Sequence, residues 1–300
     1  MSESISVDTS PQTKASWRDY LELTKPKVVL VLMLTAVIGM FLSTPGWVPL
    51  QVLIFGSLGM AMAMGASAVV NHVMDQRIDA IMERTHNRPV VLGKIDGKNA
   101  LVFAAVLSIG SMLILEIFTN RLTAVLTFFG IVGYAFIYTM YLKRATPQNI
   151  VIGGLAGAIP PLLGWTAVNN EVHPHALLLV LIIFVWTPPH FWALAIHRKD
   201  DYAKADIPML PVTHGIEFTK TSILLYTILL IITTLLPYLT GMSGKLYLVA
   251  AIILGLWFLA YALKLKYRPA PGTPMKTFGF SIVYLMLLFL ALLIDHYVFF

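Results

Sequence analysis

The chain has no cysteine among its 300 residues. That excludes disulfides, thiolate metal centres and cysteine nucleophiles. Charge is scarce as well: Asp, Glu, Lys and Arg together make up 12% of the residues, against roughly 25% in an ordinary soluble domain. The first 27 residues are polar and include Asp8, Asp19 and Glu22. They hold no apolar h-region and no small-residue cleavage site, so no cleavable signal peptide is expected, and their acids disfavour an organellar transit peptide. No internal repeat of 20–50 residues, no low-complexity tract and no linker interrupts the rest. The expected organisation is a polar segment, 1–27, followed by one domain, 28–300.

Hydrophobic residues are abundant, at 58%, and they fall in blocks. Nine apolar stretches run about 28–44, 49–70, 100–118, 122–142, 149–168, 176–196, 222–240, 246–263 and 277–296. Each approaches the roughly 20 residues a helix needs to cross the hydrocarbon core. They are too long and unbroken for barrel strands, which leaves helices as the way to satisfy the backbone in lipid. The expected fold is therefore an all-α membrane protein of nine transmembrane helices, with the lipid bilayer as its first partner.

Orientation follows from the basic residues. If the N-terminal segment and every second loop share one side, that side holds 19 of the 21 Lys and Arg residues. The other side keeps only Arg121 and Lys245. This places the N-terminus in the cytoplasm and the C-terminus outside. The net charge of +6 is thus spent on topology, and no nucleic-acid partner is expected.

Two of the cytoplasmic loops carry more than topology. In the first, Asn71, Asp75, Asp79 and Glu83 recur every fourth residue, which on a helix puts them in one stripe. A helix C-terminus is a poor place for carboxylates, because its dipole favours cations there, and like charges four apart repel. A bound cation would relieve both costs. All-oxygen donors suit Mg²⁺, which takes one or two carboxylates plus substrate phosphates. Arg84 and Arg88 follow, again four apart, with the fork geometry that matches phosphate oxygens. The second loop, His197 to Pro211, adds Asp200, Asp201 and Asp206 with Lys199 and Lys204. Two acidic clusters facing each other would form a two-site Mg²⁺–diphosphate clamp; the plain alternative is two solvated loops with ordinary ion pairs.

Few ionisable groups lie within the spans. Glu116 falls near the outer end of the third, Glu171 and Asp295 at or near the outer surface, and His190 about two thirds along the sixth. An ion-coupled transporter would place acids or histidines midway. Pro160-Pro161 and Pro188-Pro189 should kink the fifth and sixth spans. Gly153, Gly154, Gly157 and Gly164 line the fifth and read as close helix packing. Tyr138, Tyr141 and Lys143 close the fourth span; interface anchoring explains them, and so does a lysine reaching a diphosphate.

These residues resemble the UbiA superfamily of intramembrane prenyltransferases. The run Asn71-x3-Asp75-x3-Asp79-x2-Met82-x-Arg84-Thr85-x2-Arg88-Pro89 is similar to its first aspartate motif. Tyr141-Leu-Lys143-Arg144-x-Thr-Pro-Gln-Asn149, Ile159-Pro-Pro161, the Thr187–Leu194 run and Asp200-Asp-Tyr202 leading to Pro208-Met-Leu-Pro211 resemble the branch that prenylates heme. The resemblance covers about residues 20–215. Two positions depart from it. The second motif is not a regular Asp-x3-Asp, since His197 stands four residues before Asp201, and Asp206 occupies a place where glycine is expected.

The resemblance implies a UbiA-type bundle around a central cavity open sideways to lipid, in a bacterial cytoplasmic membrane. It implies farnesyl diphosphate as donor, heme b as acceptor, and a hydroxyethylfarnesyl heme as product, with a downstream heme-modifying enzyme as a further partner. Asn71, Asp75, Asp79, Asp200 and Asp201 would hold Mg²⁺, with Asp200 and Asp201 preferred over Asp206. Asp75, Asp79, Arg84, Lys143, Asp200 and Asp201 would carry the chemistry. Asn71, Arg84, Arg88, Lys143, Tyr138, Tyr141 and His190 would bind the substrates. His190 and His72 are the candidates for touching a heme, although a lone histidine in a span is more often a packing residue. The alternatives are a relative that prenylates a quinone precursor or another ring, and a membrane transporter.

Overall fold

The computed structural model describes residues 15–299, without the Phe299 side chain. Asp8, Lys14 and most of the expected N-terminal segment therefore lie outside the described residues. Among those described, eight helices are each long and apolar enough to cross a membrane: Val52–Met74, Gly97–Phe118, Arg121–Ala145, Asn149–Asn169, Pro174–His197, Gly215–Leu239, Lys245–Tyr267 and Thr273–Val298. The remaining apolar stretch is Pro26–Leu42, which meets the short helix Trp17–Leu23 at 52° and completes nine. The spans are called first to ninth below, Pro26–Leu42 being the first.

Local chemistry sets where the helices begin. Ser16 and Asp19 form a reciprocal capping box ahead of Trp17. The Asp96 side chain accepts from the Lys98 N–H at the start of the third span, and Asn120 accepts from Thr123 N–H at the fourth. Each satisfies a backbone donor that the first turn leaves free. Pro26, Pro160 and Pro174 sit in first turns, where proline has no hydrogen bond to lose.

The proline pairs behave differently from each other. The fifth span is broken at Ile159 into Asn149–Ala158 and Pro160–Asn169, as expected of Pro160. The sixth runs unbroken from Pro174 to His197 with Pro188 and Pro189 inside it. Both of these prolines are buried. The sixth span carries its proline pair within one continuous helix, whereas the fifth is divided at its own.

Successive spans pack side by side, and the ninth returns to the first. The main contacts across the ring are first span on fifth and sixth on ninth, and the second span also meets the fourth. The contact of the first span with the fifth is a backbone-to-backbone approach. A Cβ on Gly164 would lie 1.9 Å from the Ala36 carbonyl oxygen, and one on Gly39 would lie 2.3 Å from that of Pro161. Only small residues permit this. Of the other fifth-span glycines, Gly153 packs on Tyr138 and Gly154 on Thr187, whereas Gly157 meets nothing within 4 Å. The buried residues of the first span begin at Met33; residues 26–32 are exposed or half-exposed. The ring is therefore tight in one half and loose beside the first span in the other, the half that carries the two long polar loops.

Asp295 lies at the outer end of its span, as expected, but its side chain faces inward. It is fully buried and accepts from the Ser243 hydroxyl at 2.7 Å, the Tyr247 N–H at 3.0 Å and the Gly244 N–H. A side chain of the ninth span thus caps the first turn of the eighth.

Candidate active site

The regular helix of the second span stops at Met74. Asp75 takes a non-helical conformation, and a single turn, Gln76–Asp79, follows. The expected four-residue stripe is therefore cut short. Asn71, Asp75 and Asp79 stay together and buried, while Glu83 is exposed. The turns after Asp79 are held from below: the Thr85 hydroxyl donates to the Asp79 carbonyl, and the Gln76 amide donates to the Val90 carbonyl.

Asp75 and Asp79 are 1% and 2% exposed, and burying a charge this deeply requires partners. The Asn71 amide donates to Asp75 Oδ2 at 2.7 Å, and Lys143 Nζ lies 2.6 Å from the same oxygen. Lys25 Nζ donates to Asn71 Oδ1 at 2.6 Å. Asp79 pairs with Arg88. Three basic residues from three segments thus converge on the buried end of the second span. Asp75 Oδ1 remains sealed without a partner.

The second loop comes to the first by two ties. Arg198 Nη1 reaches Asp201 at 3.2 Å and Glu83 at 3.4 Å. Beneath it, Ile78 and Met82 of the first loop share one apolar cluster with Trp192, Tyr202, Ile207 and Met209. Burial pushes the Tyr202 phenol above its ordinary pKa, with Arg84 and Arg198 opposing. Asp200 and Arg84 are exposed. Asp206 is also exposed and has φ +51°, the left-handed region that glycine enters freely and Asp tolerates. This is why glycine is at home there, and it makes Asp206 a turn residue.

The fourth span explains one misplaced residue. Its last part, Gly133–Leu142, is a π-helix, which closes hydrogen bonds one residue further along than an α-helix does. The turn widens accordingly. Exposed positions recur as 136/137, 140/141 and 144/145, and the inward ones as 134/135, 138/139 and 142/143. Lys143 thereby shares a face with Tyr134 and Tyr138. In an α-helix, nine residues are about two and a half turns, and Lys143 would point away from Tyr134. Tyr141 is the residue that loses: it is 69% exposed and stands away from the cluster, so it is not brought to the site. Tyr134, which the sequence reading passed over, is. It lies against Tyr138, with ring centroids 5.5 Å apart. The Thr139 hydroxyl donates to its carbonyl, and the Asn71 amide reaches that hydroxyl at 3.4 Å. Lys25 was also missed, being counted only toward topology.

Both histidines are buried. His72 leaves both ring nitrogens sealed without partners. His190 lies against the ninth span, bonded to Ser281.

Among the described residues no three His, Asp or Glu side chains gather closely enough to cage a metal by themselves. The donors fit Mg²⁺ in the other manner. Two buried carboxylates, one with an unused oxygen, can hold an ion whose remaining positions belong to water and phosphate. Lys25, Lys143 and Arg88 supply the charge that a diphosphate needs.

A sequence model of the UbiA prenyltransferase family matches residues 32–293. The protoheme IX farnesyltransferase of Alcanivorax borkumensis is 66% identical over 286 residues, 95% of this chain and 94% of that one. The protoheme IX farnesyltransferase of Shewanella oneidensis is 61% identical over 297 residues, 99% of each chain. Among solved structures, digeranylgeranylglyceryl phosphate synthase superposes with a TM-score of 0.79 at 20% identity, covering 93% of this chain and 98% of that one. A UbiA homolog from Archaeoglobus fulgidus bound to GPP and Mg²⁺ does so with 0.67 at 18% identity, covering 91% and 99%.

Proposed function

We propose that this chain, which belongs to the UbiA prenyltransferase family, transfers the farnesyl group of farnesyl diphosphate to a vinyl group of heme b. The products are hydroxyethylfarnesyl heme and diphosphate. The observation that carries the donor half is the convergence of Lys25, Lys143 and Arg88 on the buried Asn71–Asp75–Asp79 group. Support for the acceptor half comes from full-length relatives named for that reaction.

Asp75, Asp79 and Asp201, with Asp200 and Asn71 beside them, would hold Mg²⁺. The bound ion supplies a Lewis acid that draws charge off the diphosphate. Lys143 and Lys25 exchange their present partners for phosphate oxygens, with Arg88 and Arg84 as further donors. This is electrostatic stabilisation of a leaving group. Tyr134 and Tyr138, which lie against each other on the face that carries Lys143, would exclude water beside the allylic cation. The C1–O bond breaks first, its electron pair leaving with the diphosphate, and the vinyl carbon then attacks C1 of that allylic cation to form the C–C bond. Water then adds to the new cation and loses a proton.

The test uses purified protein in liposomes with heme b, farnesyl diphosphate and Mg²⁺, read by mass spectrometry beside Asp75→Ala and a chelator control. A farnesylated, hydrated heme that disappears in both controls is expected. Prenylation of a quinone precursor with no heme product would replace the acceptor, and no transfer to any acceptor by folded protein would overturn the proposal.

A further inference from the structure

The His190 ring is held on its faces and at Nδ1, and Phe191 meets it edge-on at 5.0 Å. Trp186 stacks on it at 4.3 Å and Phe278 at 4.5 Å between centroids. Its Nδ1 lies 2.7 Å from the Ser281 hydroxyl oxygen. The Trp186 indole N–H donates to the Ser281 carbonyl at 2.8 Å, fixing the sixth span to the ninth.

The network assigns the tautomer. A serine hydroxyl has one proton, and Ser281 donates it to the Phe278 carbonyl at 2.6 Å. Toward His190 it can only accept, so Nδ1 carries the hydrogen and Nε2 carries the lone pair. Nε2 has no hydrogen-bond partner and, unlike both ring nitrogens of His72, is not sealed off. An imidazole whose Nδ1–H is tied to an oxygen, with Nε2 free, is the arrangement that orients a metal-ligating histidine. His190 stands seven residues inside the loop end of its span, roughly 10 Å at 1.5 Å per residue. Ser281 is at similar depth in the ninth. Both therefore occupy the half of the bundle that holds Asp75.

We propose that His190 Nε2 binds the iron of the acceptor porphyrin as an axial ligand, with Ser281 fixing the ring for that purpose. This rests on heme being the acceptor. The bond is a coordinate one; no electron or proton is transferred. It would anchor the macrocycle through its metal and leave the vinyl edge free to approach the prenyl donor.

The test compares ferric heme b with metal-free protoporphyrin, titrated into full-length protein in detergent and followed by absorption and electron paramagnetic resonance. His190→Ala should weaken ferric heme by a factor of about ten or more and leave the metal-free ring unchanged. In His190→Gly, added imidazole should restore the ligated spectrum. Ser281→Ala keeps the imidazole and should lose part of the iron-specific affinity. Equal weakening of both porphyrins, or an unchanged spectrum in His190→Ala, would overturn the proposal and leave His190 a packing residue. Failure of the wild type to bind or prenylate heme would instead remove the acceptor reading on which it stands.

Discussion

Lys143 reaches Asp75 across 68 positions of sequence, with Nζ 2.6 Å from Oδ2. The lysine leaves the end of a π-helix in the fourth span; the aspartate ends the regular helix of the second. Removing one partner strands a buried carboxylate. Lys143→Met should therefore lower stability by roughly 3 kcal/mol and prenyl transfer by about a hundredfold or more. The double variant Lys143→Met/Asp75→Asn should recover much of the stability and none of the transfer. Thermal unfolding in detergent and single-turnover transfer measure the two separately.

The packing of Tyr138 on Gly153 is equally specific. A Cβ on Gly153 would lie 2.1 Å from the Tyr138 ring, so Gly153→Ala should displace that ring and reduce transfer. Overpacking of this kind costs about 1–3 kcal/mol. Gly157→Ala, where nothing lies within 4 Å, should leave the melting temperature unchanged. If Tyr141→Ala impaired transfer as much as Tyr138→Ala, the assignment of Tyr141 to the outer face would be wrong.

Asp295 should matter for stability alone. Its Oδ atoms serve three donors at the start of the eighth span. Asp295→Ala leaves those donors buried and unpaired, and should cost about 3 kcal/mol. The protein that remains folded should transfer at the normal rate; a specific loss of turnover per folded molecule would assign Asp295 another role.

The absence of cysteine makes the orientation directly measurable. Single cysteines at Lys94 and Lys264 should react with an impermeant maleimide only from the cytoplasmic side of sealed vesicles. Cysteines at Arg121 and Lys245 should react only from the other. Labelling of Lys94→Cys and Lys245→Cys from the same side would refute the topology.

Spans and site differ in how much of each was readable along the chain. The nine helices follow from hydrophobic run length, because a backbone in lipid must satisfy its own hydrogen bonds. The acids at 75 and 79 were visible because carboxylates at an apolar helix end are costly without a cation. Arg88 and Lys143 were visible as cations for a phosphate, but which acid each meets was not, and Lys25 was read only as topology, because the three arrive from three different segments. The resemblance carried Tyr141 to the site, and the widened turns of 133–142 turn it outward and bring Tyr134 in. Asp206 looked like an out-of-place acid; its positive φ accounts for the position.

Sequence by itself determined the membrane class, the span count and the identity of the two polar loops. These depend on composition and spacing, which are local properties. Tertiary structure decided which charges meet, where the fourth span turns its side chains, and that Asp295 and Pro188-Pro189 are buried. Such outcomes depend on helix winding and on the approach of distant backbones, as at Gly164 and Ala36. Neither quantity is written in the order of residues along a single span.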